Sequence, residues 1–318
     1  MTRSVLRGAL AGATALALAA LPALPAAAAP NDHRGPARTS PYQLGDERSA
    51  IFPEGITVQD RFFYVSSTTT GAVLRGDLRA PEQPAQVFLG GGQDGRIDAR
   101  GLAATEGLLL IAGGRTGTLF VYDRQSGELL GRFSGGGFLN DVRVAPNGDA
   151  YATDSARDVV YRVPSAQLAS TTSGQLTVFS QASEDDPLGQ FNANGLAVTP
   201  DGRYLIVVQT DTGRLFRIST TSGDVEEIDL GGERVTNGDG VVLQGRTLYV
   251  VRNVSQAVSE VRLSGDLTRG RVVATVTDPS FRFPTTAALS QGRLLVVNSQ
   301  FNDRNSPEPF TVSSLKRP

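Results

Sequence analysis

Residues 194–208 read NGLAVTPDGRYLIVV, which is two short apolar runs separated by a Pro-Asp-Gly turn. Successive copies of this arrangement start 46, 40, 54, 45 and 46 residues apart. Repeats of this length that contain several short strands are typical of β-propellers. The spacing therefore predicts an all-β, six-bladed β-propeller with four antiparallel strands in each blade. The six copies begin at Glu54, Arg100, Asn140, Asn194, Asp239 and Thr285.

Each copy is followed by segments with the alternation and turn residues of outer strands. Third strands are predicted at 72–78, 117–123, 158–164, 214–220 and 257–263, and fourth strands at 85–91, 128–134, 176–181, 225–232 and 272–278. The sixth repeat lacks a fourth strand of its own, and residues 42–50 are predicted to supply it. This N-terminal strand would complete the last blade and remove the exposed sheet edges of an open array. Helix is predicted to be scarce, with at most a single turn at 164–171.

The first 28 residues have the three parts of a secretory signal peptide. Arg3 and Arg7 supply the positive charge, residues 8–21 the apolar stretch, and the alanines at 26–28 the cleavage site. We therefore expect the protein to be secreted or extracytoplasmic.

A membrane anchor is the alternative interpretation of this N-terminal segment. Pro22, Pro25 and the run of alanines argue against it, so no membrane insertion is expected after signal removal. Residues 29–41 are polar and proline-rich and are interpreted as a flexible leader. The propeller is then expected to occupy residues 42–318.

Composition excludes several classes of function. The formal net charge is −2 and becomes −4 without Arg3 and Arg7, so no nucleic-acid partner is expected. The chain has no Cys, and its one histidine, His33, lies in the leader. A Ser-His-Asp triad and metal sites built from His or Cys are therefore excluded from the propeller. Any metal there must be a hard cation held by oxygen ligands.

The first strand of each blade lines the central channel of a propeller, so the six opening residues should ring one mouth of it. Among them, Glu54, Asn194 and Asp239 offer two carboxylates and an amide oxygen, as a Ca²⁺-type site requires. Asn140 would lie near enough to contact a substrate or a bound water. The alternative is that Asn or Asp before Gly only begins a strand as a turn residue. Arg100 would either receive an anionic substrate group or neutralise the acids.

Other polar residues have a simpler interpretation. Thr285 is expected to be neutral lining of the channel. Asp154 and Asn298 lie at the far ends of second strands, where capping of backbone groups is the favoured role. The acidic segment 180–193 is either a wall or lid over the channel mouth or a solvated loop without a role.

Four phrases of the sequence resemble the gluconolactonase, senescence-marker-protein and luciferin-regenerating-enzyme-like family of six-bladed propellers. They are PEGI at 53–56, LNDVRVAPNGDAYATDS at 139–155, NANGLAVTPDGRYLIV at 192–207 and GDGVVLQGRTLYVV at 238–251. The resemblance implies that Glu54, Asn194 and Asp239 hold a divalent cation, usually calcium, and that Asn140 contacts substrate or water. It also implies lactone hydrolysis with Asp239 as general base.

The chain departs from this family at one position. Sugar lactonases commonly have an arginine two residues before the asparagine that matches Asn140, and here that residue is Phe138. A more apolar lactone or ester is therefore expected as the small-molecule substrate, with Phe138 and Arg100 as substrate contacts. The leading hypothesis is an exported, metal-dependent lactonase or esterase. The alternatives are a non-catalytic binding or scaffold propeller of the cell envelope with a structural cation, and a relative of strictosidine synthase.

Overall fold

The computed structural model of the protein describes residues 41–45, 51–170, 173–181, 193–306 and 309–317. In this part of the chain, each of the six repeated phrases forms an antiparallel pair of strands, with the turn of the phrase between them. The predicted signal peptide, residues 29–40 of the leader and residues 182–192 of the acidic segment lie outside the described residues. Among the described residues, no helix has the length and apolar character needed to cross a membrane.

The strands in chain order are β1 Tyr42–Gln43, β2 Pro53–Gln59, β3 Phe62–Ser67, β4 Val73–Asp77, β5 Gln86–Leu89, β6 Leu102–Ala104, β7 Leu108–Ala112, β8 Thr118–Asp123, β9 Leu129–Ser134, β10 Leu139–Val144, β11 Ala150–Asp154, β12 Val159–Val163, β13 Gly174–Gln175 and β14 Thr177–Gln181. They continue with β15 Ala193–Val198, β16 Tyr204–Gln209, β17 Leu215–Ser219, β18 Val225–Glu227, β19 Gly238–Gln244, β20 Thr247–Arg252, β21 Ala257–Leu263, β22 Gly270–Val276, β23 Pro284–Ser290, β24 Arg293–Asn298 and β25 Thr311–Lys316. The helical segments are α1 Ser165–Ala169 and a 3₁₀ turn at Gln93–Gly95.

These strands form six sheets that are the six blades of a β-propeller. The predicted closure is confirmed, because the last blade has the order β1-β25-β24-β23 and Tyr42 pairs with Val312. The predicted outer strands are also confirmed, with ends that differ by a few residues. One strand was missed: β13 pairs in parallel with β9 and adds a fifth strand to the second blade. Two residues are too few to show an alternating pattern in the sequence.

Apolar side chains fill every junction between neighbouring blades. Successive side chains of a strand point to opposite faces, so Phe63 and Val65 pack between the last and first blades while Tyr64 packs between the first and second. Each of the six junctions has its own buried cluster of this kind among the described residues. This packing fixes the positions of the inner strands around the central channel.

Candidate functional site

The opening residues of the repeats lie at a bulge in the innermost strand. In the fourth blade the strand register shifts between Ala193 and Leu196, which leaves Asn194 and Gly195 between paired residues. A bulge redirects the side chain that it contains. The same shift occurs at the equivalent place in four other blades. In the second blade, Arg100 donates its backbone N–H to Ala112 over 2.8 Å just before β6 begins.

Glycine follows several of these residues because neighbouring blades approach closely there. A β-carbon on Gly195 would lie 2.1 Å from the backbone oxygen of Asp239, and one on Gly55 would lie 2.3 Å from that of Arg100. Asn194 lies within β15 and Asp239 within β19, rather than in a turn. These two residues therefore stand at the start of strands and not in turns, and the glycines that follow them allow the blades to pack closely.

Hydrogen bonds between neighbouring inner strands tie the ring together. Three of them run from Thr285 Oγ1 to Glu54 O (2.8 Å), from Gly101 N to Asn140 O (2.8 Å) and from Leu196 N to Asp141 Oδ2 (3.0 Å). Thr285 is fully buried, so it supports the backbone of Glu54 instead of lining an open channel. The ring positions are therefore held by contacts across blade boundaries, which no single repeat contains.

Glu54 is buried, and one of its carboxylate oxygens is unsatisfied. Its Oε2 has no hydrogen-bond partner among the described residues. Burial, followed by the charge of Asp239, raises the pKa of Glu54 well above its usual value, and Arg100 opposes the shift. A carboxylate in this position costs free energy when it ionises. A cation beside it would remove that cost.

Asp239 is the second buried carboxylate of the ring. Asn253 Nδ2 donates a hydrogen bond to Asp239 Oδ2 over 3.0 Å. Burial raises the pKa of Asp239 to about 7, while hydrogen bonds from Asn253 and Asn194 and the charge of Arg100 act in the opposite direction. Glu54 and Asp239 therefore lie close enough for their charges to interact electrostatically. Asn194 lies beside Asp239.

The two asparagines of the ring are held by hydrogen bonds from their amide nitrogens. Asn194 Nδ2 donates to Thr210 Oγ1 over 2.9 Å, and Asn140 Nδ2 donates to Ser155 Oγ over 2.8 Å. Asn140 Oδ1 is buried and has no hydrogen-bond partner among the described residues. It is therefore a vacant acceptor within the ring.

Arg100 is already paired at the edge of the ring. Its Nε donates to Asp98 Oδ1 over 3.0 Å, and its guanidinium carbon lies 4.9 Å from the centre of the Phe138 ring. Phe138 is half-buried, so an aromatic face and a guanidinium together form one wall of the site. Because Arg100 opposes the raised pKa values of Glu54 and Asp239, it partly compensates the acids.

Two site residues were missed in the sequence. Asp98 is fully buried and pairs with Arg100. Asp141 is also buried, and its Oδ1 accepts from Arg143 Nη1 over 2.7 Å. Neither stands at the opening position of a repeat, so the spacing gave no signal for them. Asp141 follows Asn140 directly in the bulge, which is the one feature that pointed to it.

The acids of the site differ in whether they have a basic partner. Asp98 is matched by Arg100 and Asp141 by Arg143, whereas no ion pair of the described residues joins a basic side chain to Glu54 or Asp239. Within the described part of the chain, no group of three or more His, Cys, Asp or Glu side chains is placed to hold a metal. A site here would have two carboxylates with amide oxygens as its other ligands, which suits a hard cation.

The predicted caps are confirmed, and they lie beside the ring, since Asp154 pairs with Leu139 and Asn298 with Pro284. Asp154 Oδ1 accepts the backbone N–H of Phe138 over 2.9 Å, and Asn298 Oδ1 accepts that of Arg282 over 3.0 Å. Asp154 therefore fixes the segment that carries Phe138. The sequence alone did not indicate this contact.

Comparison with known proteins supports the fold. Neither a comparison with protein-family models nor one with curated proteins gives a match. Among solved structures, the chain is similar to the allergen Mala s 1 of Malassezia sympodialis (TM-score 0.66, 13% identity, covering 87% of this chain and 96% of that one). It is also similar to regucalcin, a calcium-binding protein of Agrobacterium tumefaciens (0.58, 18%, 87% and 95%), and to virginiamycin B lyase of Staphylococcus aureus (0.58, 13%, 81% and 80%). Identities this low establish the propeller fold alone.

Proposed function

We propose that the protein is an exported hydrolase that depends on a hard divalent cation, calcium in the first place, and acts on a lactone or ester. Glu54, Asn194 and Asp239 would hold the cation. The observation that carries the proposal is the pair of buried carboxylates, Glu54 and Asp239, neither of which forms an ion pair with a basic side chain among the described residues. When both are ionised they carry two negative charges, which one divalent cation neutralises. The similarity to a calcium-binding propeller agrees with this choice of ion.

When bound, such a cation polarises a carbonyl oxygen and lowers the pKa of a neighbouring water. Asp239 is the proposed proton acceptor, with its orientation fixed by Asn253. A cation lowers the pKa of a ligating carboxyl group, but burial raises that of Asp239 to about 7, and the two effects oppose each other. Asp239 would therefore be a stronger base than an exposed ligating carboxylate. Asp141 is less suited, because both of its oxygens already accept hydrogen bonds.

Asn140 is the proposed contact to the substrate. Its unpartnered Oδ1 can accept a hydrogen bond from a substrate hydroxyl group or from a water, and Ser155 holds the amide in place. Phe138 and Arg100 form the proposed wall for the rest of the substrate. Since Arg100 is paired with Asp98, this wall offers an aromatic face and little free charge. It favours an apolar lactone or ester over a sugar acid.

Burial of the ring also favours a second candidate function. The ring residues Glu54, Asn140, Asn194 and Asp239 are only 5–7% exposed. A cation buried to this extent can also be structural, which agrees with a non-catalytic binding or scaffold propeller of the cell envelope. Under this alternative, calcium would raise the melting temperature and no lactone or ester would be hydrolysed.

The test is calcium titration by calorimetry on the purified mature protein, with Glu54→Gln as the variant and the exposed Glu82→Gln as the matched control. We expect one saturable site in the wild type and in Glu82→Gln, and its loss in Glu54→Gln. A panel of lactones and esters is then assayed with calcium and with a chelator. Calcium-dependent turnover that Glu54→Gln loses would support the hydrolase. Calcium binding without any turnover would select the scaffold alternative, and absence of binding would overturn the cation site.

A further inference from the structure

A second cavity lies in the central channel beyond the ring. Its volume is about 270 Å³, and the inner strands of five of the six blades line it. Its wall includes Val58, Val144, Val198, Val242 and Ala288, all of which are partly exposed to the cavity. We call this space the lower channel. It contains neither Glu54, Asn194 nor Asp239, so it is separate from the proposed cation site.

Among the described residues that line the lower channel, Arg143 is the one with a charged side chain. The side chain is 21% exposed. Its Nη1 donates to Asp141 Oδ1, to the backbone oxygen of Leu102 and to that of Val142. All hydrogen bonds between this guanidinium and the described residues come from Nη1. Nε and Nη2 therefore have no acceptor among the described residues. Their N–H groups lie on one side of the planar guanidinium and form a two-donor fork that suits a carboxylate.

We propose that the lower channel binds a short-chain aliphatic carboxylate, with its carboxylate group on Nε and Nη2 of Arg143 and its chain against the valines. The cavity has the volume of about nine water molecules, which accommodates a carboxylate of about six carbons. The valine side chains contribute by burying the chain, at roughly 0.8 kcal/mol for each CH₂ group.

The charge on Arg143 limits the class of ligand. Asp141 neutralises part of it through the 2.7 Å contact with Nη1. A monoanion with an apolar chain gains from both the guanidinium and the valines. A small, strongly hydrated anion such as phosphate gains from the guanidinium alone and loses its water. Selectivity for chain length is therefore the property that distinguishes this site from general attraction of anions.

The test is calorimetric titration of acetate, butyrate, hexanoate and inorganic phosphate into the wild-type protein in the presence of a chelator. The chelator removes any route by which a carboxylate would bind through calcium at the ring. We expect affinity to increase from acetate to hexanoate and phosphate to give no saturable heat. Arg143→Gln should weaken hexanoate binding by about tenfold or more, since a charge-assisted fork is lost.

A second variant keeps the test decisive if Arg143→Gln unfolds through its contact with Asp141. Val198→Phe fills the lower channel and keeps the guanidinium of Arg143, and Val254→Phe makes the same change at a residue that is 63% exposed. We expect Val198→Phe to abolish hexanoate binding and to leave calcium titration unchanged, with Val254→Phe behaving as the wild type. Hexanoate binding that survives Val198→Phe, or that needs calcium and disappears in Glu54→Gln, would overturn the proposal.

Discussion

Replacing Asp239 by asparagine should stabilise the protein in the absence of metal while it abolishes calcium binding. The reason is that the buried carboxylate of Asp239 has its pKa raised from the ordinary 3.8 to about 7. A group whose pKa is raised by folding contributes stability below its unfolded pKa and loses that contribution as pH rises through the folded value. Metal-free wild-type protein should therefore lose stability between about pH 4 and pH 7.

The size of the effect follows from the shift. Each pKa unit corresponds to about 1.4 kcal/mol, so ionised Asp239 costs as much as about 4 kcal/mol above neutral pH. The neutral amide of the Asp239→Asn variant would avoid this cost but would match the amides of Asn253 and Asn194 less well, a loss of about 1 kcal/mol. The net gain of about 3 kcal/mol corresponds to a rise in melting temperature of roughly 6 °C for a domain of this size.

The assay is thermal unfolding of wild type and Asp239→Asn at about pH 8 and about pH 5, each with a chelator and with calcium. With the chelator at the higher pH, the variant should unfold at the higher temperature. At the lower pH the difference should shrink, because Asp239 is then largely protonated. Calcium should raise the melting temperature of the wild type only. A metal-free variant that melts below the metal-free wild type at the higher pH would refute the reasoning.

Two further predictions concern the same ring. Calcium affinity should fall as pH drops below about 7, because protons compete with calcium for Glu54 and Asp239, whose pKa values are raised. Calorimetry in two buffers of different ionisation enthalpy should show that calcium binding releases protons. Binding heats that are the same in both buffers would contradict this prediction. Gly195→Ala should cost about 1–3 kcal/mol of stability and weaken calcium binding, because its β-carbon would meet Asp239 O, whereas Gly107→Ala adds a β-carbon in open space and is the control. Urea unfolding and calcium titration measure both effects, and equal behaviour of the two variants would show that blade contact does not position the ring.

The repeated phrase was enough to predict the blades and the closure because each strand pair is encoded locally. The apolar alternation, the turn between the two runs and the distance to the next copy all lie within one repeat. Even the completion of the last blade by Tyr42 and Gln43 could be inferred, since the sixth repeat had too few strands. The two-residue strand β13 could not be inferred, because it has no pattern of its own and depends on a parallel contact with β9.

The ring was predicted less completely than the blades. The sequence indicated that Glu54, Asn194 and Asp239 share a position in the repeat, and the structure brings them to one end of the channel. The sequence did not indicate the bulge that redirects them, because a register shift depends on pairing with the next strand. It also did not indicate Asp98, whose role depends entirely on its contact with Arg100.

One ion pair lies between the ring and the lower channel. Asp141 lies between Asn140 in the ring and Arg143 in the lower channel, and its Oδ2 accepts the backbone N–H of Leu196, two residues beyond Asn194. Burial raises the pKa of Asp141, and the charge of Arg143 opposes that rise, so the proposed cation would not also have to serve Asp141. The four buried acids at and beside the ring thus fall into two classes. Asp98 and Asp141 form ion pairs with arginines of the fold itself, whereas Glu54 and Asp239 form none among the described residues, and the proposed cation would balance their charge.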